Sequence, residues 1–311
     1  MMHTYASLEQ LLLATVQKHI HPTATIVNYV QLPSGTDVSK INVQRFVLHL
    51  SDGQSVVVIT KPSPLIERRV LARLNEQHHA VIPFSHSLNL TDSEALICLQ
   101  DAGSPIAPTD DPHRLALADG LAKIHVANMG KEAELAWLPK AERAYFADFI
   151  LGWTWRLAWE HALEDANFVK QFRDYIPKVQ TSAKSFPDAM QALYDDAQTR
   201  TLIHTDIYAG HVMATDKQPF IIDWGQTHYG SFYLDLPSYF DTPESAETYR
   251  LALEKHGVTI PKDEFLEKYH IAGRFVGFRY MWGWIEEWRK HPADANEQGV
   301  IYMLEKAIEG V

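Results

Sequence analysis

A single cysteine, Cys98, occurs in the 311 residues of the chain. That excludes an internal disulfide framework and fits a reducing compartment. Cys98 lies in the apolar run Leu96-Ile97-Cys98-Leu99, where a thiol reads as core packing rather than as a nucleophile. No apolar stretch is long enough to cross a bilayer. The opening segment lacks a basic n-region and a cleavage pattern, and its Leu8, Leu11, Leu12 and Val16 recur at helical spacing. It reads as an amphipathic helix rather than a signal peptide, and the expected location is the cytoplasm, with no membrane partner. Basic charge is also scarce, with 28 Lys and Arg against 39 Asp and Glu, a formal charge of −11. Nucleic acid as partner is disfavoured, because it is met by basic patches, whereas a cationic small molecule is attracted.

What is present is the composition of an ordinary globular protein, 46% hydrophobic and 11% aromatic. At about 150 residues per domain the length predicts two lobes. Ala24 to Leu32, Asn42 to Leu50 and Gln54 to Thr60 are rich in Val, Ile, Phe and Tyr. Ser51-Asp52-Gly53 supplies a hairpin turn between the last two. Pro62-Ser63-Pro64 is expected to stop the third strand and open a helix over 65–77, with Val70, Leu71 and Leu74 on one face. Two short strands follow near 84–90 and 95–99. Beyond a connector at Asp101 to Pro105 the periodicity turns helical, over 113–127, 140–161, 166–176, 186–196, 244–256 and 262–290. Strands first and helices after predict an α+β chain. The expected division is a β-rich lobe over 1–101 and a helical lobe over 102–311.

Helical periodicity breaks between Thr201 and Trp224. Two β-prone runs there, Thr201 to Ile203 and Phe220 to Ile222, each end in polar residues. A hairpin of these runs, turning at 216–219, would bring Asp206, His211 and Asp223 to one end of the lobe. Asp206 and Asp223 are 17 positions apart. Phosphoryl transfer needs two such carboxylates in unequal roles, one taking the proton of the acceptor hydroxyl and one holding the metal on the phosphates.

His204-x-Asp206 with a polar residue five positions after the aspartate resembles the kinase catalytic loop, His-x-Asp-x-x-x-x-Asn. Ile222-Asp223-Trp224-Gly225 resembles a metal-binding aspartate segment. Together with Gly210, and with Asp235 in Tyr233-Leu234-Asp235-Leu236, they resemble the aminoglycoside phosphotransferase and choline kinase family more closely than protein kinases. No Ala-Pro-Glu segment follows Asp223.

The resemblance implies a two-lobed protein-kinase-like fold, with a small antiparallel β-sheet lobe and a larger helical lobe. It further implies a phosphotransferase using ATP or GTP with Mg²⁺ (or Mn²⁺) on a hydroxyl of an aminoglycoside or other amine-bearing alcohol. Asp206 is then the base, Asp223 and His211 the metal positions, His204 a brace for the loop and Asp235 its anchor. Lys61, at the end of Val56 to Thr60, would reach the phosphates, with Glu67 as its partner. Backbone at Gln100 to Ala102, Asp101 included, would meet the nucleotide base. Leu32 to Ser39 falls where the family covers the phosphates, but it has one glycine. His125, in Leu121-Ala122-Lys123-Ile124-His125, reads as a core histidine. The acceptor is expected near Trp153 to Glu160 or Phe275 to Trp288. On the last helix, Phe275, Phe278, Trp282 and Ile285 form one face, and Gly273, Gly277, Tyr280, Trp284 and Glu287 the other.

His211 departs from the family, which has asparagine there. An imidazole nitrogen suits zinc or manganese better than magnesium. Two alternatives therefore stand beside the kinase. One is a nucleotide-binding pseudokinase. The other is a metal-dependent hydrolase built on His204, Asp206, His211 and Asp223, for which Lys61 would have no use.

Overall fold

The structure is a computed structural model, and it describes residues 5–33, 42–106, 109, 111–215 and 218–310. In chain order the elements are α1 (Tyr5–His19), β1 (Ile26–Leu32), β2 (Gln44–Leu50), β3 (Ser55–Pro64), α2 (Leu65–Glu76), β4 (Ser85–His86), β5 (Glu94–Gln100), β6 (Ser104–Pro105) and α3 (Asp111–Asn128). A π-helix over Tyr145–Trp155 leads into α4 (Arg156–Leu163), followed by α5 (Ala166–Gln171), α6 (Ile176–Ala189) and α7 (Gln191–Tyr194). Then come β7 (Arg200–Ile203), β8 (Val212–Thr215), β9 (Gln218–Ile221), β10 (His228–Ser231), α8 (Pro243–Lys255), α9 (Lys262–Lys290) and α10 (Asp294–Glu309). Most of the candidate phosphate loop, Ser34 to Ser39, lies outside the described residues.

The chain divides into two compact units. One comprises residues 1–120 and 209–227, the other 121–208 and 228–311. This differs from the boundary expected after residue 101. The reason is pairing: β6 joins β8 and β9 in one antiparallel sheet, and the Ile221 N–H donates to Val81 O at 2.9 Å. Those bonds tie 104–105 and 209–227 to the β-rich part. Gly103, just before β6, has φ +87, and a Cβ there would fall 2.0 Å from Ala214 O. Only glycine fits so close an approach at positive φ.

In the first unit the main sheet has the order β1-β2-β3-β5-β4, antiparallel throughout. The Ser51-Asp52-Gly53 turn is present, with Gly53 at φ +84 and the Gln54 N–H donating to Asp52 Oδ1 at 3.0 Å. Leu11, Leu12 and Val16 of α1 pack with Phe46, Leu48, Leu50, Val58 and Cys98 into one apolar cluster. The amphipathic spacing of α1 is thereby accounted for. Cys98 is fully buried, and that burial pushes its thiol up to about 12.

β3 ends at Pro64, within the expected stop, and α2 opens at Leu65 as expected, but the strand runs on through Pro62 and Ser63 rather than finishing at Thr60. The pairing of β2 with β3 finishes at Thr60, whereas β5 pairs with β3 down to Pro64. Both prolines therefore lie where β3 has no partner on its β2 side, and edge positions tolerate a missing N–H.

The second unit is mainly helical. Its aromatic core includes Phe146, Phe168, Phe172, Phe186, Phe275 and Phe278. On α9 the expected core face is buried at Phe275, Phe278 and Ile285, but Trp282 is exposed. The small residues opposite admit α10: a Cβ on Gly277 would meet Ala307 N at 2.3 Å. The pattern predicted one helix over 140–161, yet its first part winds as a π-helix, a form that sequence periodicity does not separate from an α-helix. The only strand pair of this unit among the described residues is β7 with β10, His228 opposite Ile203. The hairpin expected between 201–203 and 220–222 does not form. β9 pairs with β8 instead.

Candidate active site

Each unit holds one group of the predicted site residues. In the first, β3 carries Lys61 and α2 carries Glu67 in its first turn, close enough in sequence for the strand end to face the helix start. Lys61 Nζ lies 2.8 Å from Glu67 Oε1 and 3.3 Å from Asp223 Oδ1. Glu67 is 1% exposed, and the Ser63 hydroxyl donates to its other oxygen at 2.7 Å. Burial pulls the Lys61 ammonium toward neutrality, but the charges and hydrogen bonds of Glu67 and Asp223 outweigh that, and its pKa stands above the usual lysine value. Lys61 is thus a fixed cation held by one buried and one accessible carboxylate.

Asp223 follows β9 in the left-handed region, at φ 64 and ψ 58. A non-glycine residue held there costs about 1–3 kcal/mol, and such strain collects at functional sites. The Trp224 indole N–H donates to Ile221 O at 3.1 Å, and the fully buried Trp224 pins the turn from inside. His211 precedes β8, and the Ile222 N–H donates to its carbonyl at 3.0 Å. Its Nε2 then lies 3.5 Å from Asp223 Oδ2. The β8–β9 hairpin, not the one expected from sequence, therefore brings His211 and Asp223 together.

Gln100 and Asp101 lie at the end of β5. The Gln100 N–H donates to Phe84 O at 2.9 Å and the Asp101 N–H to Val57 O at 3.4 Å. The Asp101 carboxylate accepts from Arg45 Nε at 2.8 Å and also from its Nη2. These amides and this side chain are thus engaged within the sheet, and a nucleotide base would have to use their remaining backbone groups.

In the second unit the loop after β7 carries His204, Thr205 and Asp206. Asp235 anchors it: buried at 1% exposure, its carboxylate accepts the His204 N–H at 2.8 Å and the Thr205 N–H at 2.6 Å. Thr205 is in the left-handed region at φ 65. His125 Nε2 donates to Asp235 Oδ2 at 3.1 Å. Because a carboxylate only accepts, His125 Nδ1 is left to accept the Tyr249 O–H, at 2.6 Å. His125 is indeed a core residue, fully buried. His204 Nδ1 accepts the Asp206 N–H at 3.2 Å, so the ring braces the loop. The same bond occupies a nitrogen that the hydrolase alternative would need for metal.

Asp206 itself meets two residues from the stretch expected near the acceptor, neither of them foreseen as its partner. The Tyr280 O–H donates to Asp206 Oδ1 at 2.7 Å, and Arg279 Nη2 lies 3.8 Å from the same oxygen. Both are on α9, and no motif names them. A sequence signal exists only in that Tyr280 falls on the aromatic, glycine-bearing face.

A metal bound along with nucleotide phosphates needs only one or two protein carboxylates, and Asp223, 43% exposed, can offer an oxygen. His211 offers a nitrogen, which fits manganese or zinc better than magnesium. Among the described residues no group of three or more His, Cys, Asp or Glu gathers as a metal cage, and none of the helices is long and apolar enough to cross a membrane.

Comparison with known proteins adds the following. The family model described as "Phosphotransferase enzyme family" matches residues 35–297. A search of curated protein sequences finds no match. Among solved structures, a spectinomycin phosphotransferase in complex with ADP and spectinomycin superposes with TM-score 0.57 at 15% identity, covering 96% of this chain and 93% of that one. A choline/ethanolamine kinase family protein from Mesorhizobium loti gives 0.56 at 13% identity, covering 91% and 88%. The choline kinase LicA from Streptococcus pneumoniae gives 0.51 at 12%, covering 96% and 99%. At these identities the likeness is one of fold.

Proposed function

The chain belongs to the phosphotransferase enzyme family, with the α+β, protein-kinase-like fold of its structural neighbours, and on that premise we propose that it transfers the γ-phosphate of ATP to a hydroxyl of a small, amine-bearing alcohol. The observation that carries the reading is Lys61, partly buried and paired with both Glu67 and Asp223. A cation held in that way neutralises phosphate charge without needing to move, which is how positioning and electrostatics lower a phosphoryl-transfer barrier. The hydrolase alternative, built on His204, Asp206, His211 and Asp223, assigns such a cation no role.

Asp206 takes the proton of the acceptor hydroxyl as its oxygen bonds to the γ-phosphorus and the bond to the β-phosphate oxygen breaks. Asp235 and His204 hold the loop that presents Asp206. A divalent metal, when bound with the nucleotide, would be held at Asp223, with His211 beside it, and would neutralise phosphate charge. Lys61 contributes its own charge to the phosphates, and Glu67 keeps that ammonium in place. Gln100 and Asp101 are proposed to meet the nucleotide base through backbone groups. An amine-bearing acceptor is supported by the acidic balance of the chain and by neighbours that bind spectinomycin or act on choline. ADP in one neighbour supports an adenine nucleotide as donor.

A panel of hydroxyl acceptors with labelled ATP tests the proposal, alongside Asp206→Asn. The variant should lose transfer by at least about 100-fold, the lower end of what general-base catalysis supplies, while nucleotide still raises its melting temperature. Full activity in Asp206→Asn would overturn the assignment of the base. ATP binding without turnover on any acceptor would favour the pseudokinase, to which His211 in place of asparagine points.

A further inference from the structure

Two neighbouring residues of α9 converge on one oxygen of Asp206. The Tyr280 phenol donates to Oδ1 at 2.7 Å, and the Arg279 guanidinium lies 3.8 Å from it. The phenol is a permanent donor, since burial first, and then the charge and hydrogen bond of Asp206, hold its ionisation well above the usual tyrosine range. The two are braced in turn. The Arg279 guanidinium lies 5.8 Å from the Phe149 ring and 5.6 Å from the Tyr280 ring. Phe149, on the π-helix, stacks on Tyr145 at 5.6 Å. The π-helix thus supports the residues that contact Asp206, consistent with the placing of such helices at functional sites.

An aspartate acting as a base can rotate its carboxylate, and each wrong orientation costs rate, because proton transfer needs a donor–acceptor distance near hydrogen-bond length. A single short bond from a phenol to one oxygen removes that freedom. It does so without adding a second base.

We propose that Tyr280 is a positioning residue for phosphoryl transfer: its phenol, backed by Arg279, fixes the Asp206 carboxylate in the orientation that receives the acceptor's proton. This rests on Asp206 as the base. The competing role is a structural tie between α9 and the loop after β7, which would affect stability alone.

The test compares Tyr280→Phe, which keeps the ring and removes the O–H, with wild type, Asp206→Asn and the double variant. The measurements are kcat, KM for ATP and the melting temperature of each. Tyr280→Phe should lower kcat by about 10- to 100-fold while KM for ATP stays within about twofold. In the Asp206→Asn background the same substitution should change the residual rate by less than about twofold, because residues that act as a unit are not additive. A kcat within about twofold of wild type, or an equal loss in both backgrounds, overturns the proposal. Should Tyr280→Phe fail to fold, Arg279→Gln replaces it in the same cycle, with an expected kcat loss of about 3- to 10-fold and the same non-additivity. Should Asp206→Asn stay fully active, the base assignment fails and this inference falls with it. An inactive Asp206→Asn beside a neutral Tyr280→Phe sinks only the inference.

Discussion

Removing the Asp235 carboxylate should destabilise the second unit more than any loss of a surface charge. Three donors converge on it: the His204 and Thr205 amides at 2.8 and 2.6 Å and His125 Nε2 at 3.1 Å. Its side chain is 0% exposed, as is that of His125, so water does not replace the lost acceptor without entering the core. A buried donor left without its partner costs about 1–3 kcal/mol, and here three donors are left at once. Thr205 adds to this, because its left-handed backbone is held by one of the bonds removed. Asp235→Ala should therefore lose about 3–5 kcal/mol, which at about 2–4 °C per kcal/mol for a unit of this size lowers the melting temperature by roughly 6–20 °C. Asp235→Asn keeps one accepting oxygen but turns an N–H₂ toward a donor, and should lose about 1–3 kcal/mol. Thermal melts followed by circular dichroism, with urea titrations at fixed pH, read both. An Asp235→Ala loss below about 1 kcal/mol would show that the three bonds do not hold the loop, and the account of how Asp206 is presented would have to be abandoned.

Lys61→Met leaves Glu67 buried without its cation and should cost about 3 kcal/mol near neutral pH. Little of this comes from Asp223, which is 43% exposed and screened by water. Since the folded pKa of Lys61 is raised, the contribution is full below the ordinary lysine value and is lost as pH rises through the folded one. The stability gap between wild type and Lys61→Met should hold up to about pH 10 and close above it; urea midpoints across that range check this, and a gap unchanged at about pH 11.5 would contradict it. His211→Asn exchanges an imidazole for the amide oxygen that magnesium favours, so magnesium-supported transfer should be kept or increased relative to manganese. Total loss of transfer, measured with each metal in turn, would show that the imidazole has a role of its own.

Much of the candidate site was legible in the sequence because its residues lie in a few short segments. His204, Asp206 and His211 lie within one short segment, and Lys61 and Glu67 lie on a strand and in the first turn of the helix that follows it. Local segments also made the Ser51-Asp52-Gly53 turn and the apolar face of α2 readable. Strand pairing was less so. The run 201–203 was expected to pair with 220–222, whereas its partner 228–231, His-Tyr-Gly-Ser, carries little β-propensity, so that strand is set by its tertiary context. In the structure β10 takes β7 and β8 takes β9. Continuation of β3 through two prolines was hidden for a similar reason, because whether a missing N–H matters depends on which neighbour strand has already ended.

The sequence by itself determined the types of chemical group and their order along the chain: a lysine following a β-prone run, an aspartate two residues after His204, a second aspartate at Asp223, a lone thiol in an apolar run. Each follows from residues within a few positions of one another, where spacing fixes geometry. The tertiary structure alone decided what holds them. Tyr280 and Arg279 reach Asp206 from α9, Asp235 grips the loop of His204 through two amides, and Lys61 joins Glu67 to Asp223 across a long stretch of chain. Those contacts arise from the packing of helices and strands distant in sequence, and that packing is set by the burial of whole apolar faces rather than by any motif.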